Sequence, residues 1–514
     1  MKRAILLVLA FALTTVGFAD DNADIQSRIQ QLNNESKQLQ RQVLELKKKV
    51  KANKASKSSE KTTAQKVISK NNKNTPDHVE KTVKTEDVDG DVSPFLINLW
   101  ENYVTVTTVP FLSDRLEYNG ADLLYNTPSM NEDLTLLRQH AEILAKAESL
   151  NIDLDRPMIQ MSGTIQGQFY SSAAFTANSV AAGDFTSGIT LAASEIDMNV
   201  LASSWASGFM ALAFNGSPTS TGNREPVSTI YLKRGFLTLG NLNRAPVYLT
   251  FGQMYAPFGA YISGLVSTPL TNSMMQIRTP VAVLGYFKNN LNVSTYAYEG
   301  SQTSGGDSIL KQGGVNATYQ LPFGSANNSV TFGGGWVSNI ADSQGMQGTG
   351  YSTVNNQFSG FAATATTNNL AHAVDGLDAN ANLVMSGFTL IGEYMSAARS
   401  FAAQDLTFDG NGALPSVGRV ELDYVLPFFP KKTATTLGIS YDRAWEALGL
   451  NLEKAKYAVF INTSIWRETI ESFEYDYQKD YGTGDTATGA GGPTSIVGTG
   501  KGVNTFLLQF GLYF

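Results

Sequence analysis

Charged side chains at every second position are the residues of this chain whose types and spacing could do chemistry. Residues two apart on a strand share one face, so such charges would lie in rows along a single surface. Rows of fixed charge facing a passage select ions by Coulomb attraction, and an arginine opposite acidic groups would create a transverse field. The candidates are Glu195, Asp197, Glu393, Arg419, Glu421, Asp423 and Asp442, with Lys233 or Arg234 in a segment of irregular alternation. Their acidic majority predicts a preference for cations.

Groups suited to catalysis are sparse. The chain has no cysteine, which excludes a thiolate nucleophile, a thiolate metal site and disulfides. Of three histidines, His372 alone falls in the strand-rich part, and a lone histidine there is more often a wall or loop residue than a general base. Asp375 and Asp378 beside it make only a weak metal motif. We therefore expect no enzymatic activity, no metal centre, no cofactor and no nucleic-acid partner.

The elements that must position the charged rows are strands. Polar and apolar residues alternate from Pro157 onward, so that Glu195 and Asp197 oppose Ile196 and Met198. Connections after odd-numbered segments are mostly long and those after even-numbered segments short. We predict sixteen strands, at roughly 158–170, 188–201, 204–215, 228–241, 246–256, 280–288, 291–299, 309–321, 328–338, 371–383, 386–396, 417–426, 433–443, 454–465, 467–480 and 503–514.

These strands are expected to form an all-β, sixteen-stranded antiparallel transmembrane barrel over residues 157–514. Long loops alternating with tight turns are typical of such barrels, and the parity places both termini in the periplasm. Only 16% of residues are charged, and residues 94–514 hold 21 Lys and Arg against 33 Asp and Glu. Alternation alone does not separate a barrel from a soluble β-sandwich, in which the apolar face would be buried. After residue 19, no segment approaches the 18 or so uninterrupted apolar residues that a spanning helix needs.

The final segment, Val503 to Phe514, carries the strongest evidence for the barrel. Its bulky apolar residues share one face, predicted to contact lipid, and Asn504, Gln509 and Gly511 are assigned to the opposite face. Strands of this kind, closing on Phe, resemble the last strands of bacterial outer-membrane barrels, which implies recognition by the barrel assembly machinery. The apolar residues are Phe506, Leu508, Phe510, Leu512 and Phe514.

Three segments precede the barrel in our prediction. Residues 1–19 have the charged, apolar and small-residue regions of a secretory signal peptide. Residues 20–50 carry a heptad pattern that predicts a periplasmic coiled coil, and hence a homo-oligomer with a trimer favoured, through Ile25, Ile29, Leu32, Leu39, Val43, Leu46 and Val50. A solitary amphipathic helix is the alternative. Residues 51–93, rich in Lys and Ser, are interpreted as a flexible linker.

Residues 94–156 form a separate pre-barrel segment. Ser129 and Glu132 have the spacing of a capping box, followed by helical spacing of Leu134, Leu137, Ala141 and Leu144. The segment could plug the lumen, pack on the periplasmic rim or support an oligomer. These three alternatives remain open.

Two resemblances follow from these residues. Phe251 to Gly259, FGQMYAPFG, is similar to a G-Q-x-x-x-P-F-G turn of phosphate-selective-type porins. The whole layout, with the block PFLINLWENYVTVTTVPFL between linker and barrel, resembles the legiobactin-receptor family of siderophore porins. That resemblance implies TonB-independent import of a ferric siderophore across the outer membrane.

The expected function is therefore an outer-membrane channel for passive or facilitated solute uptake, with a small solute or ferric siderophore as its ligand. Sixteen strands leave an aqueous lumen, and 257–279 and 339–370 are long enough to fold into it. A general porin is the first alternative. A structural or adhesive barrel without transport is the second, and would show no ion conductance.

Overall fold

The structure is a computed structural model, and it describes most of the barrel and one helix before it. The described residues are 105–106, 131–149, 157–173, 185–218, 226–300, 310–324, 328–348, 370–403, 405–426, 435–466, 469–488 and 495–513. The predicted signal peptide, coiled coil and linker lie outside these residues and stay predictions. Within the described part of the chain, no helix is long and apolar enough to cross a membrane.

Sixteen antiparallel strands, β1 to β16, follow one another around a closed ring, because β16 pairs with both β15 and β1. A two-residue strand at Thr105–Val106 adds in parallel to the first residues of β1. The sixteen strands are Met158–Ala173, Phe185–Leu201, Ala206–Pro218, Pro226–Gly240, Val247–Tyr255, Arg278–Lys288, Leu291–Tyr298, Gln312–Pro322, Ser329–Val337, Gly376–Met385, Phe388–Ala397, Ser416–Val425, Thr435–Trp445, Ala455–Thr463, Thr469–Lys479 and Gly502–Tyr513.

The predicted strand count and loop parity are confirmed, and every predicted strand overlaps its observed counterpart. We call the two rims of the ring the turn end and the loop end. Connections at the turn end are as short as 289–290, where Asn289 and Asn290 both have positive φ, as a two-residue type I′ turn requires. The largest boundary error is in β10, predicted from 371 and observed from Gly376, because Val374 instead packs in a buried cluster at the loop end.

The outer surface of the ring is an apolar belt, as the alternation predicts. Leu237, Val420, Ile439 and Val459 are 44–54% exposed although all are aliphatic. A wide apolar outer surface on a closed ring matches contact with lipid, because a closed barrel leaves no strand edge unpaired in the membrane.

The last strand follows the same pattern, with one correction. Phe506, Leu508, Phe510 and Leu512 are 37–51% exposed on the outer face, and Phe514 lies outside the described residues. Gln509 and Gly511 face inward as predicted. Asn504 was assigned inward wrongly: it is two residues from Phe506 and therefore shares the outer face, where its amide oxygen accepts a hydrogen bond from Tyr475.

Helix α1, Glu132–Ser149, lies across the turn end of the ring beneath β1 to β6. Leu134 and Leu137 pack on Tyr248 of β5, and Ile143 packs on Met158 at the start of β1. The predicted role of Glu132 in a capping box is wrong. Its carboxylate instead forms an ion pair with Arg234 of β4, inside the barrel.

The connection between β5 and β6, residues 256–277, enters the lumen, and we call it the inner loop. The inner loop contains the short helix α2, Leu270–Met275. This helix packs against α3, Gln344–Gly348, which lies in the connection between β9 and β10. Ser343 donates a hydrogen bond to the Met274 carbonyl at 2.6 Å. Together with inward apolar residues of the strands these helices form a buried cluster toward the loop end. Both loops predicted to be long enough to fold inward thus contribute described residues to this cluster.

Candidate functional site

Carboxylates on the barrel wall hold the inner loop in place. Glu393 of β11 accepts hydrogen bonds from the backbone N–H groups of Ala260, at 2.5 Å, and Tyr261, at 3.1 Å. Glu421 of β12 accepts one from Gly264 at 2.7 Å. Because a carboxylate bonded to N–H groups makes a charge-assisted contact, each of these bonds contributes about 1.5–3 kcal/mol.

Two further strands continue this row of contacts. Asp442 of β13 accepts the backbone N–H of Leu270 at 2.9 Å. Glu474 of β15 accepts N–H groups from Val266 and Ser267, the second at 3.1 Å. The inner loop is therefore fastened along four strands on one side of the ring, by side chains far away in sequence.

A cation lies among these carboxylates. Arg419 is fully buried, pairs with Glu421 and lies 3.5 Å from Asp442, while donating to the Ile262 carbonyl at 2.6 Å. The Arg419 guanidinium thus links the carboxylates of the barrel wall to a backbone carbonyl of the inner loop. Asp423 is 9% exposed and follows Glu421 on the same inner face. The predicted selectivity residues of β11 to β13 therefore meet in one place, against the inner loop.

A second charged cluster lies on the other side of the ring and contacts the start of α1. Arg234 of β4 contacts Glu195 of β2 and Glu132 of α1, the latter at 2.5 Å, and lies 3.6 Å from Asp197. Lys233 contacts Glu195 at 2.7 Å. The irregular alternation noted at Lys233 and Arg234 is a β-bulge, in which Lys233 is the extra residue and both cations reach the same side.

The FGQMYAPFG segment supports this bulge. The Gln253 amide donates to the carbonyls of Leu232 and Lys233, each at 3.2 Å. Gly252 has φ of 143° and lies so close to β4 that an added Cβ would be 2.3 Å from the Gly235 carbonyl oxygen. Only glycine fits both the backbone conformation and this approach. The motif therefore fixes the strand that aims Arg234 at α1.

Burial alters the acidity of the first residues of α1. Glu132 and Asp133 are 1% and 0% exposed. Burial raises the pKa of Glu132, more than the neighbouring Arg234 and Lys233 lower it, and Glu195 raises it further. Burial also raises the pKa of Asp133, against hydrogen bonds from Thr250 and the Leu134 N–H. The docked helix therefore holds protons more tightly than the free helix would.

A cavity of about 180 Å³ remains between the start of α1, the inner loop and the inner faces of β7 to β11. Nine of its eighteen lining residues carry an amide or hydroxyl group, and its charged lining residues are Arg138 and Glu393. Phe287 and Ile262 supply apolar surface. Among the described residues, no group of three or more His, Cys, Asp or Glu could hold a metal ion.

Several inward residues were missed in the sequence analysis although a signal was present. Glu474 and Asp476 alternate with Tyr475 and Tyr477 in the same manner as the candidates that were selected. The cavity amides were overlooked because only charges were considered. The uncharged polar residues of the cavity alternate just as clearly, as in Thr318 and Gln320 and in Asn380 and Asn382.

Comparison with known proteins gives relatives of similar length. No family model matches the chain. It is 34% identical over 419 residues to a UPF0422 protein of Legionella pneumophila (strain Lens), covering 80% of this chain and 76% of that protein. It is 31% identical over 416 residues to a UPF0422 protein of Coxiella burnetii, covering 79% and 83%. Neither name states a solute.

This chain is also similar to solved structures of outer-membrane channels. An anion-selective porin from Comamonas acidovorans has a TM-score of 0.46 and 11% identity, covering 70% of this chain and 100% of that chain. The outer membrane channel DcaP of Acinetobacter baumannii has a TM-score of 0.44 and 12% identity, covering 70% and 99%. Such similarity concerns the fold and carries nothing about solutes. The sequence relatives are closer, and from them this chain belongs to the UPF0422 family.

Proposed function

We propose that this chain is an outer-membrane channel for passive or facilitated uptake of small polar solutes, with α1 and the inner loop controlling access to the lumen. The observation that carries the proposal is the closed sixteen-stranded ring with an apolar outer belt and rows of charged and polar side chains on its inner face. A ring of this size encloses more space than its own side chains fill. In this proposal the turn end faces the periplasm.

TonB-independent import of a ferric siderophore is the more specific form of this proposal. It rests on the resemblance in layout to siderophore porins, and no name among the relatives adds to it. Pockets for drug-sized ligands measure about 300–1,000 Å³. The cavity of about 180 Å³ is smaller, so passage of a siderophore requires α1 to leave the turn end.

In this proposal the two charged clusters determine which solutes pass only after the inner loop and α1 have moved away from them. Glu421, Arg419 and Asp442 would face a solute if the inner loop moved away. Glu195 and Asp197 would face it if α1 moved away. The predicted cation preference is therefore a property of the opened lumen.

The partners in this proposal are outer-membrane lipid, the barrel assembly machinery and further copies of the chain. Lipid contact is supported by the apolar belt. A trimer through the heptad residues 25–50 rests on their spacing alone.

Conductance across planar lipid bilayers tests the channel. The full chain and a variant lacking residues 20–156 are purified, and folding of both is checked by heat-modifiable migration in gels. We expect an ohmic conductance that is larger in the truncated variant, because α1 no longer covers the turn end. Zero conductance in both folded proteins would favour the structural or adhesive barrel. The siderophore form requires uptake of labelled ferric siderophore in cells lacking TonB, lost when this chain is deleted.

A further inference from the structure

The cavity beside α1 carries polar atoms that the protein itself leaves without a partner. Asn292 of β7 is 2% exposed, and within the part of the chain that the structure describes its amide nitrogen has no hydrogen-bond acceptor. Its amide oxygen accepts only a long contact of 3.5 Å from Tyr248. A buried amide without a partner is destabilising, so such a group is retained where something else satisfies it.

Acceptors without a partner line the same cavity from three other elements. They are Oδ1 of Asn131 at the start of α1, Oδ1 of Asn382 on β10 and Oε2 of Glu393 on β11. The other oxygen of Glu393 is occupied by the inner loop. The residues that line the cavity therefore include one donor and three acceptors that have no partner among the described residues. A ligand that satisfies them must both accept and donate hydrogen bonds.

The charge of the lining limits the ligand further. Arg138 and Glu393 have opposite signs, and the remaining polar lining is uncharged, including Thr318, Gln320 and Asn380. A net anion or cation would gain from one of the two charges and be opposed by the other. Phe287 and Ile262 add apolar surface to the lining, and the Arg138 guanidinium lies 5.2 Å from the centre of the Phe287 ring.

We propose that this cavity is a binding subsite for a neutral polyhydroxylated solute, a polyol or single sugar ring, within the lumen. Hydroxyl groups both donate and accept, so one such ligand satisfies Asn292 and the three acceptors together. The proposal rests on the proposed channel function for its biological use, although binding itself does not require conductance.

Equilibrium binding to the full chain in detergent tests the subsite, with glucose, sorbitol and citrate as probes and ligand-observed NMR as the readout. We expect saturable millimolar binding of glucose or sorbitol that exceeds citrate binding at least tenfold. The double substitution Asn292→Leu and Asn382→Leu nearly preserves side-chain shape and removes two hydrogen-bonding groups. At about 1 kcal/mol each, it should weaken binding roughly 30-fold.

Gln509→Leu is the matched control, because Gln509 is a buried inward amide on β16, on the other side of the ring from the cavity. It should change binding less than twofold. If the double variant does not fold, Thr318→Val supplies the same test with a smaller loss of about fivefold. Equal weakening by Gln509→Leu, tighter binding of citrate or no binding of either neutral probe would overturn the subsite.

Bilayer conductance of the same preparation separates this inference from the channel proposal. Conductance without binding of the neutral probes would overturn the subsite and leave the channel intact. Binding without conductance, in the full chain and also in the variant lacking residues 20–156, would support the subsite and remove the channel.

Discussion

Replacing Leu137 with alanine should release α1 from the barrel. Leu137 is 1% exposed and packs on Leu134 and Tyr248, with Leu242 and Phe287 at the edge of the cluster. A buried Leu→Ala substitution costs about 2–5 kcal/mol. If helix docking bears this cost, the undocked population rises by about 30-fold to several thousand-fold, since 1.4 kcal/mol is a factor of ten.

The absence of cysteine from the chain makes this change measurable. Ala147 of α1 is 2% exposed, so Ala147→Cys places a single thiol where maleimide reaches it only after undocking. When opening and closing are faster than labelling, the labelling rate follows the undocked population. Leu137→Ala should therefore accelerate labelling by at least about 30-fold and increase the bilayer conductance.

Glu142→Ala is the matched control on the same helix. Glu142 is exposed, and a surface substitution of this kind changes stability within about 0.5 kcal/mol. Labelling should then change by less than about threefold. If Leu137→Ala also stays within threefold while the barrel remains folded, the apolar contacts do not hold α1, and our account of helix docking is refuted.

Three further outcomes are expected. Because burial raises the pKa of Glu132 and of Asp133 above 4.5 and 3.8, docking of α1 is fully supported below those ordinary values and weakens as pH rises through the raised ones. Channel open probability should therefore increase as the pH rises above those ordinary values, and a decrease would contradict this sign. Gly252→Val forces a Cβ against the Gly235 carbonyl and should cost about 2–5 kcal/mol, seen as a lower midpoint of heat-modifiable unfolding. Glu474→Ala removes two backbone contacts of the inner loop and should cost about 2 kcal/mol or more, with larger current fluctuations; a quiet current of wild-type size would exclude this tether.

The strands could be predicted because a barrel strand meets lipid on one side and polar surroundings on the other. Inward polar residues and outward apolar residues therefore alternate along each strand. In β12, Arg419, Glu421 and Asp423 alternate with Val420 and Leu422. The antiparallel order places odd- and even-numbered connections at opposite ends of the barrel, so a difference in length between the two ends appears as loop parity. Strand ends were less predictable, because residues such as Val374 leave the ladder to join the cluster at the loop end.

The contacts inside the ring could not be predicted in the same way. Glu474 binds Val266 across 208 residues of sequence, and Glu132 binds Arg234 across 102. No local periodicity encodes such a pair. A bulge adds to the difficulty, because the extra residue at Lys233 shifts which side chains of β4 face inward. The sequence thus identifies inward charges but not what they contact.

These contacts change how the acidity of residues 94–514 is to be interpreted. Glu393, Glu421, Asp442 and Glu474 each accept backbone N–H groups of the inner loop, and those N–H groups replace water around the negative charge. Glu195 is occupied by Lys233 and Arg234 in the second charged cluster. The residues that line the cavity are mostly uncharged, and half of them carry an amide or hydroxyl group. Net charge is therefore a poor guide to the solute of the proposed channel, because most of these inward carboxylates are already bound to other groups of the protein.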